Sequence, residues 1–254
     1  MNAPAQKRNV LVTGGGRGLG TAIVRSLAQA GHDITFTYRS AQAEADALLK
    51  EMTAAYPGQK FAAERADLAD KAAVDALCAR LKDTTFTGFV HNAGASYDAL
   101  AVMIDQDKAE AAMQVNYWSF VRLCGTVVRA MMRAKDGRVA VIGSITALQA
   151  NQGNAAYAST KAALMAYART LAIEVGRTGV TVNYIAPGFI DTEMLAGYAK
   201  YREKMEEQVP ARRFARPEEI ASLATYLLSP LASYVTGAVL PVDGGVSAAL
   251  GIHR

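Results

Sequence analysis

Short apolar runs and longer amphipathic runs alternate along the chain, and this alternation limits the fold more than any other feature of the sequence. Each apolar run has the length of a strand, and a helical pattern follows it. Two consecutive strands can lie parallel in a sheet only if a crossover segment, usually a helix, joins them, and this connection is right-handed. The pattern therefore predicts an α/β fold with a doubly wound, mostly parallel, seven-stranded sheet that carries helices on both faces. The strand candidates are NVLVT, DITFTY, KFAAERAD, TGFVHNAG, RVAVIGS, VTVNYIAPG and AVLPVDGG.

The composition fits one domain over residues 1–254. The chain is 51% hydrophobic and 20% charged, with a net charge of +4 that is scattered rather than gathered in a stripe, so nucleic-acid binding is not expected. No secretory signal or membrane-spanning run is present, which predicts a cytoplasmic protein. Cys78 and Cys124 are interpreted as small apolar fillers. The three histidines, His32, His91 and His253, lack metal-ligand spacing, so no metal site is expected, and His253 is expected to lie in a mobile C-terminal tail with Arg254.

In doubly wound sheets the ligand binds beyond the carboxyl ends of the strands. Every strand exit in this chain is therefore a candidate site. The exits are small and polar, unlike ordinary solvent loops, and comprise Thr13 to Gly20, Arg39, Asp67, Asn92 to Gly94, Ser144, and Pro187 to Gly188.

The first exit, TGGGRGLG, fits the spacing G-x-x-x-G-x-G at Gly14, Gly18 and Gly20. These glycines allow a sharp turn from strand to helix and bring backbone N–H groups close to a pyrophosphate at the helix N-terminus. The loop thus favours a Rossmann-type domain that binds a dinucleotide. A plain tight turn between strand and helix is the alternative.

The end of the second strand bears on which dinucleotide is bound. An acidic residue there commonly binds the ribose of NAD, whereas an arginine accommodates the 2′-phosphate of NADP. The chain has Tyr38, Arg39 and Ser40 at this point, and Arg17 in the glycine loop supplies a second guanidinium. The pattern favours NADP(H), the alternative being two solvent-facing arginines.

Tyr157 and Lys161 stand four residues apart in a helical pattern, so their side chains share one face. A nearby ammonium favours the phenolate, which predicts a lowered Tyr157 pKa and a group that exchanges protons near neutral pH. Ser144, at the end of the preceding strand, is placed to hydrogen-bond a carbonyl oxygen held beside the phenol. Taken alone, the pair also fits a surface tyrosine and lysine one turn apart.

Together these motifs resemble the short-chain dehydrogenase/reductase family, from about residue 9 to residue 246. The separations of thirteen residues from Ser144 to Tyr157 and of four to Lys161 match the family's catalytic pattern. Within the family, the chain is most similar to bacterial 3-oxoacyl-acyl-carrier-protein reductases, through stretches such as LAIEVGRTGVTVNYIAPGFIDTEM and RPEEIASLATYLLSPLASYVTG. The motifs that carry the resemblance are Thr13 to Gly20, Asn92 to Gly94, Asn116, Ser144, Tyr157, Lys161, and Pro187 to Thr192.

The resemblance implies four catalytic residues. Tyr157 would be the general acid that protonates a substrate carbonyl, and Lys161 would lower its pKa and hold the nicotinamide ribose. Ser144 would orient the carbonyl, and Asn116 would anchor a water in a proton relay. The alternative for Asn116 is a helix residue that satisfies a local carbonyl.

The resemblance also implies the residues that bind NADP(H). Asp67 and Leu68 would flank the adenine, although Asp67 would alternatively be a helix N-cap. Asn92 would border the cofactor, and Ile190 and Thr192 would hold its carboxamide and phosphate end. The full expected set is Gly14, Arg17, Gly18, Leu19, Gly20, Arg39, Asp67, Leu68, Asn92, Ala93, Gly94, Tyr157, Lys161, Pro187, Gly188, Ile190 and Thr192.

An acidic acyl carrier protein is the expected partner, and a reductase that serves it needs basic residues beside the pocket mouth. By resemblance, Arg129 is a docking residue, with Arg133 one turn away. Family members often carry a further arginine where this chain has Ile173, and the candidates to compensate are Arg169 and Arg177, one turn away on either side. Ordinary solvated arginines are the alternative. Two long helices, about 106–134 and 155–176, resemble those through which relatives form homotetramers.

The expected activity is NADPH-dependent reduction of a 3-oxoacyl thioester, carried on acyl carrier protein, to the 3-hydroxyacyl product. The segment 189–215 fits a substrate lid, and a permanently ordered pair of surface helices fits equally. Alternative substrates are a coenzyme A thioester, a polyketide or polyene intermediate, or a free ketone. A non-catalytic NADP-sensing module is the remaining alternative, since fold alone does not establish function.

Overall fold

The computed structural model describes residues 7–249, so His253 and Arg254 lie outside the described part of the chain. A seven-stranded sheet in the order β3-β2-β1-β4-β5-β6-β7 forms its centre, and every neighbouring pair is parallel. The predicted fold class is therefore confirmed. The strands are β1 (Asn9–Thr13), β2 (Asp33–Tyr38), β3 (Phe61–Arg65), β4 (Gly88–His91), β5 (Gly137–Ile142), β6 (Val180–Pro187) and β7 (Val239–Val242).

Helices cover both faces of the sheet. One buried apolar cluster joins the sheet to α3, α5 and α6, and a second joins the opposite face to α1, α2 and α8. Strand residues alternate between the clusters, as Leu11 and Val12 do, because successive side chains of a strand point to opposite faces. The α-helices are α1 (Gly18–Gln29), α2 (Gln42–Ala55), α3 (Lys71–Leu81), α4 (Gln106–Met113), α5 (Ser119–Ala134), α6 (Ala155–Val175), α7 (Arg202–Gln208) and α8 (Pro217–Leu228).

The first of the two predicted long helices contains a feature that periodicity did not indicate. Residues 106–134 are helical throughout, but one turn of π-helix, Gln114–Trp118, separates α4 from α5. A π-turn carries one extra residue per turn and is frequent at functional sites. Asn116, one of the expected catalytic residues, lies at its centre.

The segment 189–215 consists of a 3-10 helix, Glu193–Tyr201, followed by α7 and a return to the sheet edge. Its two ends are tied together, because the Asp191 N–H donates to the Ala215 carbonyl and the Ala215 N–H donates to the Phe189 carbonyl, both at 2.9 Å. This arrangement agrees with both expectations for the segment, a substrate lid and a permanently ordered pair of surface helices.

Candidate active site

The strand order reverses between β1 and β4, which is where a doubly wound sheet opens a crevice. Thr13, the last residue of β1, pairs in register with His91, the last residue of β4. The glycine loop that follows β1 therefore lies beside the Asn92–Gly94 segment that follows β4.

The glycine loop has the conformation that its sequence predicts. Gly14 and Gly18 have φ of +66° and +54°, in the left-handed region that favours glycine. A Cβ atom at Gly20 would collide with the Gly14 carbonyl oxygen. Arg17 stands at the N-cap of α1 and makes no side-chain capping bond, so the start of the helix is open to a phosphate. The residues present thus fit a dinucleotide pyrophosphate.

Hydrogen bonds join the two loops of the crevice. The Asn92 side-chain amide donates to the carbonyls of Thr13 at 3.2 Å and Gly14 at 2.9 Å. In return, the Thr13 hydroxyl oxygen accepts the N–H groups of Asn92 and Ala93, both at 3.1 Å. Asn92 therefore fixes the start of the glycine loop. Gly94 borders Lys161, because a Cβ at that position would lie 3.4 Å from Lys161 Nζ.

The residues expected around the adenosine lie at the exits of β2 and β3. Arg17 and Arg39 are exposed, and Arg65, which sequence reasoning missed, donates from Nε to the Arg39 carbonyl at 3.4 Å. Asp67 is exposed and accepts the Ala69 N–H at 3.0 Å. The N-cap alternative for Asp67 is wrong, because the helix there is capped by Asp70, which accepts the Ala72 N–H. Leu68 is buried.

Ser144, Tyr157 and Lys161 come together at the exit of β5 and the first turns of α6. The Ser144 hydroxyl oxygen accepts two hydrogen bonds from Thr146, from its N–H at 3.1 Å and its hydroxyl at 2.9 Å. The Ser144 hydroxyl also lies close enough to the Tyr157 phenol to lower the pKa of that phenol. Lys161 Nζ donates to the Ile142 carbonyl at 3.0 Å and lies 5.7 Å from the centroid of the Tyr157 ring.

The predicted lowering of the Tyr157 pKa is wrong for this arrangement. Burial raises the Tyr157 pKa to about 12, the Ser144 hydrogen bond opposes that rise, and the charge of Asp98 adds to it. Burial lowers the Lys161 pKa to about 8. The prediction considered the attraction between phenolate and ammonium, whereas the cost of burying a charge dominates at both groups.

Asn116 makes its contacts across the site rather than along its own helix. Its Oδ1 accepts the Ala95 N–H at 2.7 Å, and its Nδ2 donates to the Ala95 carbonyl at 2.9 Å and to the Thr160 hydroxyl at 2.8 Å. The alternative of a local carbonyl partner is therefore wrong. The π-turn aims this side chain at the loop after β4 and at the helix that carries Tyr157 and Lys161.

Comparisons with known proteins show the family to which the chain belongs. The sequence model of a family described as enoyl-(acyl carrier protein) reductase matches residues 14–247. A 3-oxoacyl-acyl-carrier-protein reductase of Vibrio cholerae is 36% identical over 243 residues, which cover 93% of this chain and 96% of the relative. The Mycobacterium tuberculosis (strain H37Rv) protein of the same name is 35% identical over 246 residues, covering 96% and 94%.

A solved short-chain dehydrogenase/reductase from Serratia marcescens has a TM-score of 0.89 and 32% identity, and the match covers 96% of this chain and 100% of that one. This chain belongs to the short-chain dehydrogenase/reductase family. It is an oxidoreductase, and its family and Rossmann-like fold imply a nicotinamide cofactor.

The exit of β6 carries the last of the expected cofactor-binding residues. Pro187 ends the strand, and the Gly188 N–H donates to the Val242 carbonyl at 3.0 Å. Ile190 forms a parallel bridge with Ala215. Thr192 lies next to the glycine loop, since its side chain would be 3.8 Å from a Cβ at Gly18.

Tyr184 packs beneath Ser144 and Lys161, two of the expected catalytic residues, and sequence reasoning missed it. Its buried hydroxyl accepts the Ser144 N–H at 3.0 Å and lies 3.2 Å from the Lys161 carbonyl, to which it donates. Gly143 makes room for the ring, because a Cβ at that position would collide with it. The available signal was a tyrosine within the predicted strand VTVNYIAPG.

The expected docking arginines are exposed but lie away from the strand exits of the same chain. Arg169 follows Tyr157 by twelve residues of α6, or about 18 Å at the helical rise. Arg129 follows Asn116 by thirteen residues, or about 20 Å, and Arg133 lies one turn farther. These lengths place the three arginines about one helix length from the candidate site of the same chain, and their docking role stays a prediction. Ile173 is 84% exposed.

The described part of the reductase, residues 7–249, contains no helix long and apolar enough to cross a membrane. The same residues hold no group of three or more histidine, cysteine, aspartate or glutamate side chains placed to share a metal ion.

Proposed function

We propose that this reductase uses NADPH to reduce a 3-oxoacyl thioester, carried on acyl carrier protein, to the 3-hydroxyacyl product. The observation that carries the proposal is the meeting of Ser144, Tyr157 and Lys161 at one strand exit, where Lys161 Nζ lies 5.7 Å from the centroid of the Tyr157 ring and Thr146 holds the Ser144 hydroxyl oxygen. Two hydroxyl groups in one network suit the oxygen of a ketone, which gains a proton during reduction.

In the proposed mechanism, Tyr157 donates its proton to the substrate carbonyl oxygen. Ser144 turns its hydroxyl hydrogen to the same oxygen, since its own oxygen is already occupied by two donors from Thr146. Bound NADPH supplies the hydride. Lys161, whose pKa is about 8, is largely protonated at pH 7 and stabilises the phenolate that Tyr157 leaves behind. Asn116 is proposed to anchor a water that returns a proton to Tyr157.

The cofactor is proposed to lie across the switch point, from Arg39 to Lys161. The open N-terminus of α1 suits its pyrophosphate, and the exposed Arg17 and Arg39 suit a 2′-phosphate. Asp67 and Leu68 would flank the adenine, Asn92 to Gly94 would border the middle, and Ile190 and Thr192 would meet the nicotinamide end. The exit of β2 reads Tyr-Arg-Ser and offers no carboxylate to a ribose hydroxyl, which favours NADPH over NADH.

The names of the relatives favour an acyl carrier protein substrate, because the two named above are 3-oxoacyl-acyl-carrier-protein reductases. Arg129, Arg133 and Arg169 are the proposed docking residues. Homotetramer formation is also proposed: Trp118, next to α5, and Ile173, on α6, are 51% and 84% exposed, which leaves apolar surface on both long helices. Segment 189–215 is proposed to order over the bound substrate.

The test is a comparison of initial rates of NADPH oxidation with acetoacetyl groups on acyl carrier protein and on coenzyme A. Crotonyl thioesters and NADH serve as the controls, because the matching family model is described as an enoyl reductase. We expect the carrier-bound 3-oxo substrate with NADPH to give the highest kcat/KM. Equal rates on both carriers would remove the docking proposal, and reduction of crotonyl groups alone would contradict carbonyl reduction.

A further inference from the structure

His91 occupies a buried position between the glycine loop and the π-turn, and the mechanism above gives it no role. It is fully buried at the end of β4, and its ring packs 4.9 Å from that of Phe120, centroid to centroid. Nδ1 lies 3.1 Å from the Thr13 hydroxyl oxygen, and Nε2 lies 3.3 Å from the Asn116 carbonyl oxygen. The His91 side chain thus contacts both Thr13, the last residue before the glycine loop, and the π-turn that carries Asn116.

The surrounding hydrogen bonds fix which nitrogen carries the proton. The Thr13 oxygen already accepts the N–H groups of Asn92 and Ala93, so its own hydrogen is the group available to Nδ1. The Asn116 carbonyl only accepts, so Nε2 must be the donor. His91 is therefore a neutral imidazole with its proton on Nε2. Burial, reinforced by the charge of Lys161, lowers its pKa to about 3, which keeps it neutral throughout the working range.

We propose that His91 is a positioning residue that ties the π-turn to the end of β1 and thereby holds the Asn116 side chain against Ala95 and Thr160. The resulting chain of hydrogen bonds runs from Thr13 through His91 to Asn116 and on to Thr160. Thr160 stands between Tyr157 and Lys161 in α6. The link therefore joins the glycine loop to the catalytic helix, and its effect on turnover rests on the function proposed above.

The irregular backbone of the π-turn explains why a hydrogen bond from His91 is useful at this position. A helix that changes from i→i+4 to i→i+5 bonding shifts its carbonyl groups out of the regular ladder. The Asn116 carbonyl receives a donor from His91, and the Asn116 side chain is occupied with Ala95. Loss of the His91 donor would remove a buried hydrogen bond from the residue whose side chain must stay in place.

The test uses His91→Phe, which retains an aromatic ring beside Phe120 and removes both hydrogen bonds. The first readout is exchange of the Ala95 amide hydrogen, which Asn116 Oδ1 holds. We expect exchange to accelerate about tenfold, kcat to fall about tenfold, and KM for the thioester to change less than about threefold. His91→Asn places a donor and an acceptor on a short side chain and should restore part of the lost protection and of kcat.

His32→Phe is the matched control. His32 is also buried, but it lies just before β2, near the amino ends of the strands, and accepts the Arg8 N–H at 3.2 Å. Its loss should lower stability and leave Ala95 exchange and kcat unchanged. Equal acceleration of Ala95 exchange in both variants would reduce His91 to a general contributor to stability and overturn the proposal.

Nitrogen NMR of the wild-type protein keeps the proposal testable even if His91→Phe does not fold. We expect His91 to be protonated on Nε2 only and not to titrate between about pH 5 and pH 9. Protonation on Nδ1 would break the proposed chain and overturn it. These signals and the Ala95 exchange do not depend on turnover, so failure of the proposed activity would be seen separately from failure of the His91 link.

Discussion

The two ends of the proposed cofactor site are built differently. At the catalytic end, Asn116 and Lys161 are buried, and protein partners hold each at a set distance. At the adenosine end, Arg17 and Arg39 are exposed, and neither forms an ion pair within residues 7–249. The catalytic end is thus preorganised for chemistry, whereas the adenosine end depends on the charge of the ligand. Variants at the first end should change kcat, and variants at the second should change cofactor affinity.

The largest effect is expected at Tyr157. Tyr157→Phe keeps the ring near Lys161 and removes the proposed proton donor, so kcat should fall by about 100-fold or more. The dissociation constant of NADPH, measured by fluorescence titration, should change less than about threefold. Full activity in this variant would rule out Tyr157 as the general acid.

Arg39→Ala should act at the opposite end. Removing a guanidinium from the 2′-phosphate site should weaken NADPH binding about tenfold and leave NADH binding nearly unchanged. Arg25→Ala is the control. Arg25 is exposed like Arg39, but it lies within α1 and forms an ion pair with Glu51 at 2.8 Å, away from the site. Equal losses for both coenzymes would show that Arg39 does not read the phosphate.

The pH dependence of reduction should follow Lys161, whose pKa is lowered to about 8. Lys161 is charged below that pH and neutral above it, and only the charged form stabilises the phenolate left by proton transfer. We expect kcat/KM to be level below about pH 8 and to fall by up to about tenfold per unit above it. Lys161→Arg, if active, should remove this fall because a guanidinium stays charged. A wild-type rate that rises through pH 9 would contradict the role of Lys161.

The support beneath the catalytic end is tested by Tyr184→Phe. The change removes the acceptor for the buried Ser144 N–H and the donor to the Lys161 carbonyl, without creating a cavity of more than one oxygen atom. We expect the free energy of unfolding to decrease by about 1–3 kcal/mol in denaturant titrations, because a buried donor is left unsatisfied. An unchanged midpoint would show that Ser144 finds another partner.

The smallest effect is expected at the docking residues. Charge reversal at Arg129 and Arg133 together should raise KM for a carrier-bound substrate severalfold, on the order of 1 kcal/mol, and leave KM for the coenzyme A thioester unchanged. The comparison of the two carriers serves as the internal control. Equal changes on both would indicate disturbed folding or assembly rather than lost docking.

Much of the fold was predictable because the signals are local. Strand and helix alternation indicated all seven strands, and Gly14, Gly18 and Gly20 indicated the turn into α1. The spacing of Tyr157 and Lys161 indicated a shared helix face, which α6 provides.

The remaining features depend on contacts between distant segments. The Asn116 side chain in the π-turn contacts Ala95 and Thr160, and the Tyr184 ring occupies the space left by Gly143. The rise in the Tyr157 pKa arises from burial that only the folded chain defines. Spacing along the sequence carries none of this information.

The most direct test of the contrast between the two ends is to measure kcat and the NADPH dissociation constant for Tyr157→Phe and Arg39→Ala side by side, with a 3-oxoacyl thioester as substrate. We predict a crossed result, in which Tyr157→Phe loses kcat and keeps its affinity while Arg39→Ala loses affinity and keeps kcat at saturating NADPH. Parallel losses of both quantities in both variants would contradict the division between a preorganised catalytic end and a ligand-dependent adenosine end.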